Sequence, residues 1–138
     1  MDTFEADIAD WARKVQGAEL LIFQESAQEL VSQLTALVPV DTGFLRSSLR
    51  ASTTAMPMAS LDNPGAGAFT LDAGEITLVI AGADIGDTIY LGYTANYGAY
   101  IHYGANGRAG RPWVAMVAQR WQQIVNEKAV EVRSRLGL

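Results

Sequence analysis

Apolar residues recur at steps of three and four along the first part of the chain: Phe4, Ile8, Trp11 and Val15, then Ile22, Phe23, Leu30, Leu34 and Leu37. That period places them on one helical face, so the pattern predicts a single long amphipathic helix over about residues 3 to 38. At 1.5 Å per residue such a helix is about 50 Å long, more than a domain of this size can cover, so part of its apolar face must pack on something else. Gly17 is the obvious weak point, costing roughly 1 kcal/mol against alanine and permitting a bend. Pro39 ends the helix, because its ring disfavours helical geometry at Val38 and removes a backbone donor.

A change of pattern follows in "VPVDTGFLRSSL", residues 38 to 49. The short polar side chains of Asp41 and Thr42 can accept from backbone N–H groups just ahead, and Gly43 permits a tight bend, so Pro39, Asp41, Thr42 and Gly43 read as a capped structural corner. Leu45 and Leu49 lie four apart, on one face of a helical turn. Residues 50 to 56 are expected to enter a strand. Residues 57 to 74, "PMASLDNPGAGAFTLDAG", are rich in Pro, Gly and Ala with Phe69 and Leu71 alternating, which suggests a long hairpin or mobile loop.

"EITLVIAG" (75 to 82) and "TIYLGYT" (88 to 94) are β-branched and aromatic, with the turn-like "ADIGD" between them, and predict an antiparallel hairpin. Tyr97, Tyr100 and Ile101 have helical spacing and predict a short helix, whereas "ANGRAGR" has no period and is expected to be a flexible loop. Pro112 suits the first turn of a final helix, whose apolar stripe is Trp113, Val117, Trp121, Ile124, Val125, Val132 and Leu136. The expected architecture is α+β: a small antiparallel β-sheet packed with a long N-terminal helix and a long C-terminal helix.

At 138 residues, 49% of them hydrophobic, the chain is predicted to form one domain over residues 1 to 138 with a core that needs no staples. Fifteen acids against ten bases give a net charge of -5, which argues against binding nucleic acid through its phosphates. No signal peptide and no membrane-spanning apolar run are expected, and the chain has no cysteine for disulfides, thiolate clusters or thiol catalysis. Charge is nevertheless uneven. Ala51 to Gly107 holds no Lys or Arg, while Arg46, Arg50, Arg108 and Arg111 flank that segment and would form a basic spot if the flanks met.

Catalytic readings are open to inspection. Asp41, Ser47 or Ser48 and His102, the one imidazole, could be combined into a hydrolase relay, but no nucleophile elbow occurs and serines in a capped turn bond backbone. An aspartic-protease reading of Asp41-Thr42-Gly43 needs a strand leading into the triplet, and a helix is predicted there. Asp84 with Asp87 is the best metal-binding candidate on offer, but a solvated hairpin turn is the better explanation of the pair. "GANGRAG" could cradle a phosphate, yet it lacks the Lys-Ser/Thr and glycine spacing of a P-loop. Tyrosines 90, 93, 97, 100 and 103 could stack bases, or divide between core and interface. These residues therefore yield no catalytic, metal or cofactor site.

Three runs taken together resemble a known set. "VPVDTGFLRSSL" is similar to a Pro-x-Asp-Thr-Gly-x-Leu-Arg-x-Ser run, "YGAYIHYG" (97 to 104) to a Tyr-Ala-x-Tyr-(Val/Ile)-(Glu/His)-x-Gly run, and "GRPWVAMVAQ" (110 to 119) to an Arg-Pro-Phe-(Leu/Val)-x-x-Ala run. In this order and approximate spacing they resemble the neck or tail-completion proteins of tailed bacteriophages, which act where tail joins head. Gly98, Ala105 and Trp113 depart from the family's usual alanine, threonine and phenylalanine. The resemblance implies a structural, non-enzymatic virion protein, made in the host cytoplasm and located at the neck or proximal tail, forming a homo-oligomeric ring. Its implied partners are the tail terminator, a head-completion or connector protein and the tail tube, with no membrane, specific nucleic acid or cofactor. Arg46, Arg50, Arg108, Arg111, Tyr97 and Tyr100 are the candidate protein-contact residues. A small hydrolase or metal-dependent enzyme of unrecognised type is the alternative.

Overall fold

The structure is a computed structural model that describes residues 3–138, and it is α+β. Helix α1 (Thr3–Leu37) runs unbroken through Gly17, where a Cβ would meet nothing within 4 Å. The glycine therefore neither breaks the helix nor serves a close contact. After the corner come α2 (Phe44–Ser47), β1 (Leu49–Ser52), α3 (Ala73–Ala81), β2 (Tyr90–Tyr93), α4 (Gly98–Tyr103), β3 (Gly104–Ala105), β4 (Arg108–Ala109), α5 (Trp113–Ala118) and α6 (Trp121–Leu136). Among the described residues no helix is long and apolar enough to cross a membrane.

The predicted hairpin between residues 75 to 82 and 88 to 94 does not form. "EITLVIAG" is helical because Asp72 caps it, its carboxylate accepting from the Glu75 N–H at 3.1 Å. Ile76 and Ile80, one turn apart, are buried together while Leu78 faces solvent. Packing of that face against α1 and β1 overrides the strand propensity of its β-branched residues. The strand β2 pairs instead with β1, antiparallel, with Leu49 opposite Tyr93 and Ser52 opposite Tyr90. Thr94 extends the junction, both its N–H and its hydroxyl donating to the Ser48 carbonyl.

Two apolar clusters share α1 as their common wall. Leu34, Val38, Leu45, Ala95, Trp113 and Val117 form one, and Ala27, Val31, Leu49, Ile76 and Ile80 the other; Leu91 and Tyr93 of β2 touch both. The final helix is in fact two, since the chain turns at Gln119 and Arg120. This turn lets α5 insert Trp113 and Val117 into the first cluster while α6 runs back along α1. Arg120 bonds Gln33 at one end of that pairing, and Arg135 grips both carboxylate oxygens of Glu25 at the other, holding the Glu25 carboxyl below its usual range.

Residues 57 to 74 carry no strand beyond a bridge between Leu61 and Ala95, and α3 already begins at Ala73. The run touches the body of the protein at a few points. Ser60 and Leu61 N–H groups both donate to the Thr94 carbonyl, Asn96 bonds Asp62, and Phe69 meets Phe44 edge-on at 5.1 Å.

The capping roles yield the first prediction. Asp72→Ala should lower stability by about 0.5 to 2 kcal/mol in chemical denaturation. Asp41→Ala should stay within about 0.5 kcal/mol of the parent, because Asp41 is exposed and caps nothing. Equal losses from both would refute the assignment.

Candidate functional site

The corner that follows α1 is built differently from the sequence expectation. Gly43, not a side chain, stands at the start of α2, with φ 89, and the side-chain contact comes from Thr42, whose hydroxyl accepts from the Phe44 N–H at 3.3 Å. A Cβ on Gly43 would lie 3.1 Å from the Phe69 carbonyl oxygen, so both backbone sign and space favour glycine. Asp41 is left exposed and caps nothing. Ser47 and Ser48 turn their hydroxyls back to the carbonyls of Phe44 and Leu45, each at 2.7 Å.

Opposite this corner, "GANGRAG" is a hairpin rather than an unstructured loop. Ala105 pairs with Arg108 across Asn106 and Gly107, both with positive φ, which is the two-residue turn that right-twisted strands prefer. The Asn-Gly dipeptide was the available sequence signal. The hairpin's base closes tightly: a Cβ on Gly110 would stand 2.5 Å from the His102 carbonyl oxygen and 2.8 Å from the Gly104 nitrogen. The Arg111 N–H then donates to the Ile101 carbonyl, fixing the hairpin to α4.

Corner, α4 and hairpin enclose an open cleft of about 790 Å³. Pro39 to Leu45 line one side, Tyr97, Tyr100 and Ile101 the floor, and Arg108 and Arg111 the far rim. Tyr97 stacks on Phe44 at 6.3 Å, while Tyr100 is 64% exposed. Burial raises the Tyr97 hydroxyl above its ordinary range; the Leu45 backbone opposes this and the charge of Asp41 adds to it. The cleft thus offers an aromatic floor between a carboxylate and two cations, suited to holding a mixed polar and apolar peptide surface.

The predicted contact residues divide. Tyr97, Tyr100, Arg108 and Arg111 come together in the cleft. Arg46 lies beside the corner on α2 and does not line the cleft. Arg50 is held locally, its guanidinium donating to the Ser47 and Leu49 carbonyls at 2.7 and 2.9 Å, so of the four arginines Arg108 and Arg111 line the cleft and Arg46 and Arg50 do not.

Behind the cleft, His102 uses Nε2 to accept from the Ala115 N–H at 3.2 Å, so the imidazole proton sits on Nδ1. No hydrogen bond joins His102 to Asp41, Ser47 or Ser48, and His102 lines a separate 210 Å³ hollow with Tyr93 and Trp113. Asp87 accepts from the Asp84 N–H at 2.8 Å and so closes its own turn. Among the described residues no three potential metal ligands gather.

No protein-family model, curated protein or solved structure matches this chain.

Two tests follow from the packing around the cleft. Gly110→Ala must push apart the base of the hairpin and should cost about 1 to 3 kcal/mol, read as a lowered melting temperature. The second concerns Tyr93, whose hydroxyl is pushed up to about 12 by burial; the Trp113 indole N–H opposes this without forming a well-aligned hydrogen bond. A folded-state value above the unfolded one gives stability that is present below about pH 10 and is lost as pH rises from 10 towards 12. Tyr93→Phe should flatten that alkaline loss in urea midpoints and cost little at pH 7, since the hydroxyl it removes is unpaired.

Proposed function

We propose that this protein is a structural virion component of a tailed bacteriophage, acting in tail completion or head-tail joining through contacts made at the cleft. One observation carries the reading. The three runs that resemble the neck and tail-completion family are separated by up to some sixty residues in the chain, yet residues of all three line the same cleft. Pro39 to Leu45 come from the first, Tyr97, Tyr100 and Ile101 from the second and Arg111 from the third. A fold needs Pro39, Gly43 and Gly110 for its turns, but exposed Tyr100, Arg108 and Arg111 do nothing evident for stability. Their place on one concave surface suits a partner.

The proposed partners are the proteins on either side of a neck: tail terminator, head-completion or connector protein, and tail tube. Arginines at the cleft rim pair with acidic side chains of a neighbour, and the tyrosines supply rigid contact area at low entropic cost. Assembly as a homo-oligomeric ring, the absence of turnover and a place at the virion neck belong to the same proposal.

An extract that makes DNA-filled heads and tails but lacks this protein should accumulate them unjoined, and adding the purified protein should restore infectious particles. Arg108→Glu and Arg111→Glu should lower the titre restored by about tenfold or more while remaining folded, because charge reversal adds repulsion to the lost pairing. Ser48→Ala and His102→Gln should restore joining nearly as well as the parent. If the latter two were inert though folded, while the charge reversals worked fully, the small-enzyme reading would replace the structural one.

A further inference from the structure

No residue of α1 ahead of Ala18 is buried among the described residues. Helix α6 runs antiparallel to α1 and ends beside Glu25, and the first buried residue of α1 is Ala18. The preceding residues still carry a regular apolar stripe: Ile8 is 50% exposed, Trp11 62%, Val15 is half-buried, and Phe4 continues the spacing. Steps of four, three and four keep positions 4, 8, 11 and 15 within an arc of about 60° at 100° per residue, which is the seam of a two-helix coiled coil.

We infer that this segment pairs with the same segment of a second copy, antiparallel about a two-fold axis near residues 9 and 10. The stripe is self-complementary in that arrangement. Ile8 of each copy meets Trp11 of the other, and Phe4 meets Val15, so every layer pairs a residue with a different one and the pattern repeats after rotation. Charge agrees with this direction. Asp7 and Lys14 flank the same side of the seam, and in antiparallel order each Asp7 faces the other copy's Lys14, giving two reciprocal pairs. Among the described residues neither has an ion-pair partner within its own chain. Parallel pairing would leave Asp7 opposite Ala12 and bring the two bodies to the same end. The antiparallel pair places them at opposite ends and opposes the helix dipoles.

The pairing is short, so it is reversible and concentration-dependent. It goes beyond the assembly role proposed above, and it describes the free protein: a two-fold pair has no head-to-tail polarity, so incorporation into a polar ring exchanges it for another contact.

Sedimentation equilibrium of the full-length protein over a wide concentration range should show monomer and dimer. Trp11→Glu, at an exposed position, should leave the circular dichroism melt unchanged and weaken dimerisation by more than about tenfold. Asp7→Lys and Lys14→Asp should each weaken it, and the double variant D7K/K14D should restore it, because only antiparallel order pairs these positions. A strict monomer at every concentration, or no restoration in the double variant, overturns the inference. So does flotation of a monomeric protein with phosphatidylcholine vesicles that Trp11→Glu abolishes, which would assign the stripe to a lipid surface. Joining in the extract assay is read separately, so failure of the pairing and failure of the assembly role are distinguishable.

Discussion

Everything in this protein is referred to the wall that Ala27, Val31 and Leu34 make along the C-terminal half of α1, continued by Val38 just past its end. Both apolar clusters close on it: α3 and β1 from one side, and the corner, Trp113 and Val117 from the other. Each of these elements is too short to hold its own geometry. Helix α2 has four residues and the two strand pairs have four and two residues per strand, so none outlasts its conformational entropy without burial against a shared surface. Helix α1 alone has the length to meet them all.

The cleft inherits its shape from that wall. Leu45 anchors the corner in the first cluster, which fixes where Pro39 to Gly43 emerge, and Trp113 anchors the start of α5, which fixes Arg111 two residues before it. Between them, Tyr93 meets Trp113 edge-on at 5.3 Å and His102 meets it at 5.5 Å, so the floor provided by α4 is tied to the same core residue. Glycines at 104 and 110 allow the hairpin backbone to close on itself where any side chain would collide. The contact groups are exposed, but their positions are set by buried neighbours.

The same division explains which sequence expectations held. Long-range helical periodicity in α1 is repeated so often that no local preference competes with it, and Pro39 marks its end within two residues. "EITLVIAG" was short, and its β-branched composition favoured a strand. The decisive information was an aspartate at the preceding turn and a four-residue spacing of two isoleucines, both of which gain meaning only beside α1. At the corner, Asp41 and Thr42 carry equivalent capping chemistry, and only the backbone path around Gly43 selects Thr42.

The sequence by itself determined the α+β class, the reach of the first helix, the corner, and the residue types available for contact, because these depend on local period, on proline and glycine sterics, and on composition. Only the tertiary structure decided that β1 pairs with β2, that Tyr97, Tyr100, Arg108 and Arg111 meet across one cleft, and that Arg50 is withdrawn from it. Those outcomes turn on contacts between residues tens of positions apart, whose free energy comes from burying shared apolar surface. No window along the chain contains both partners of such a contact.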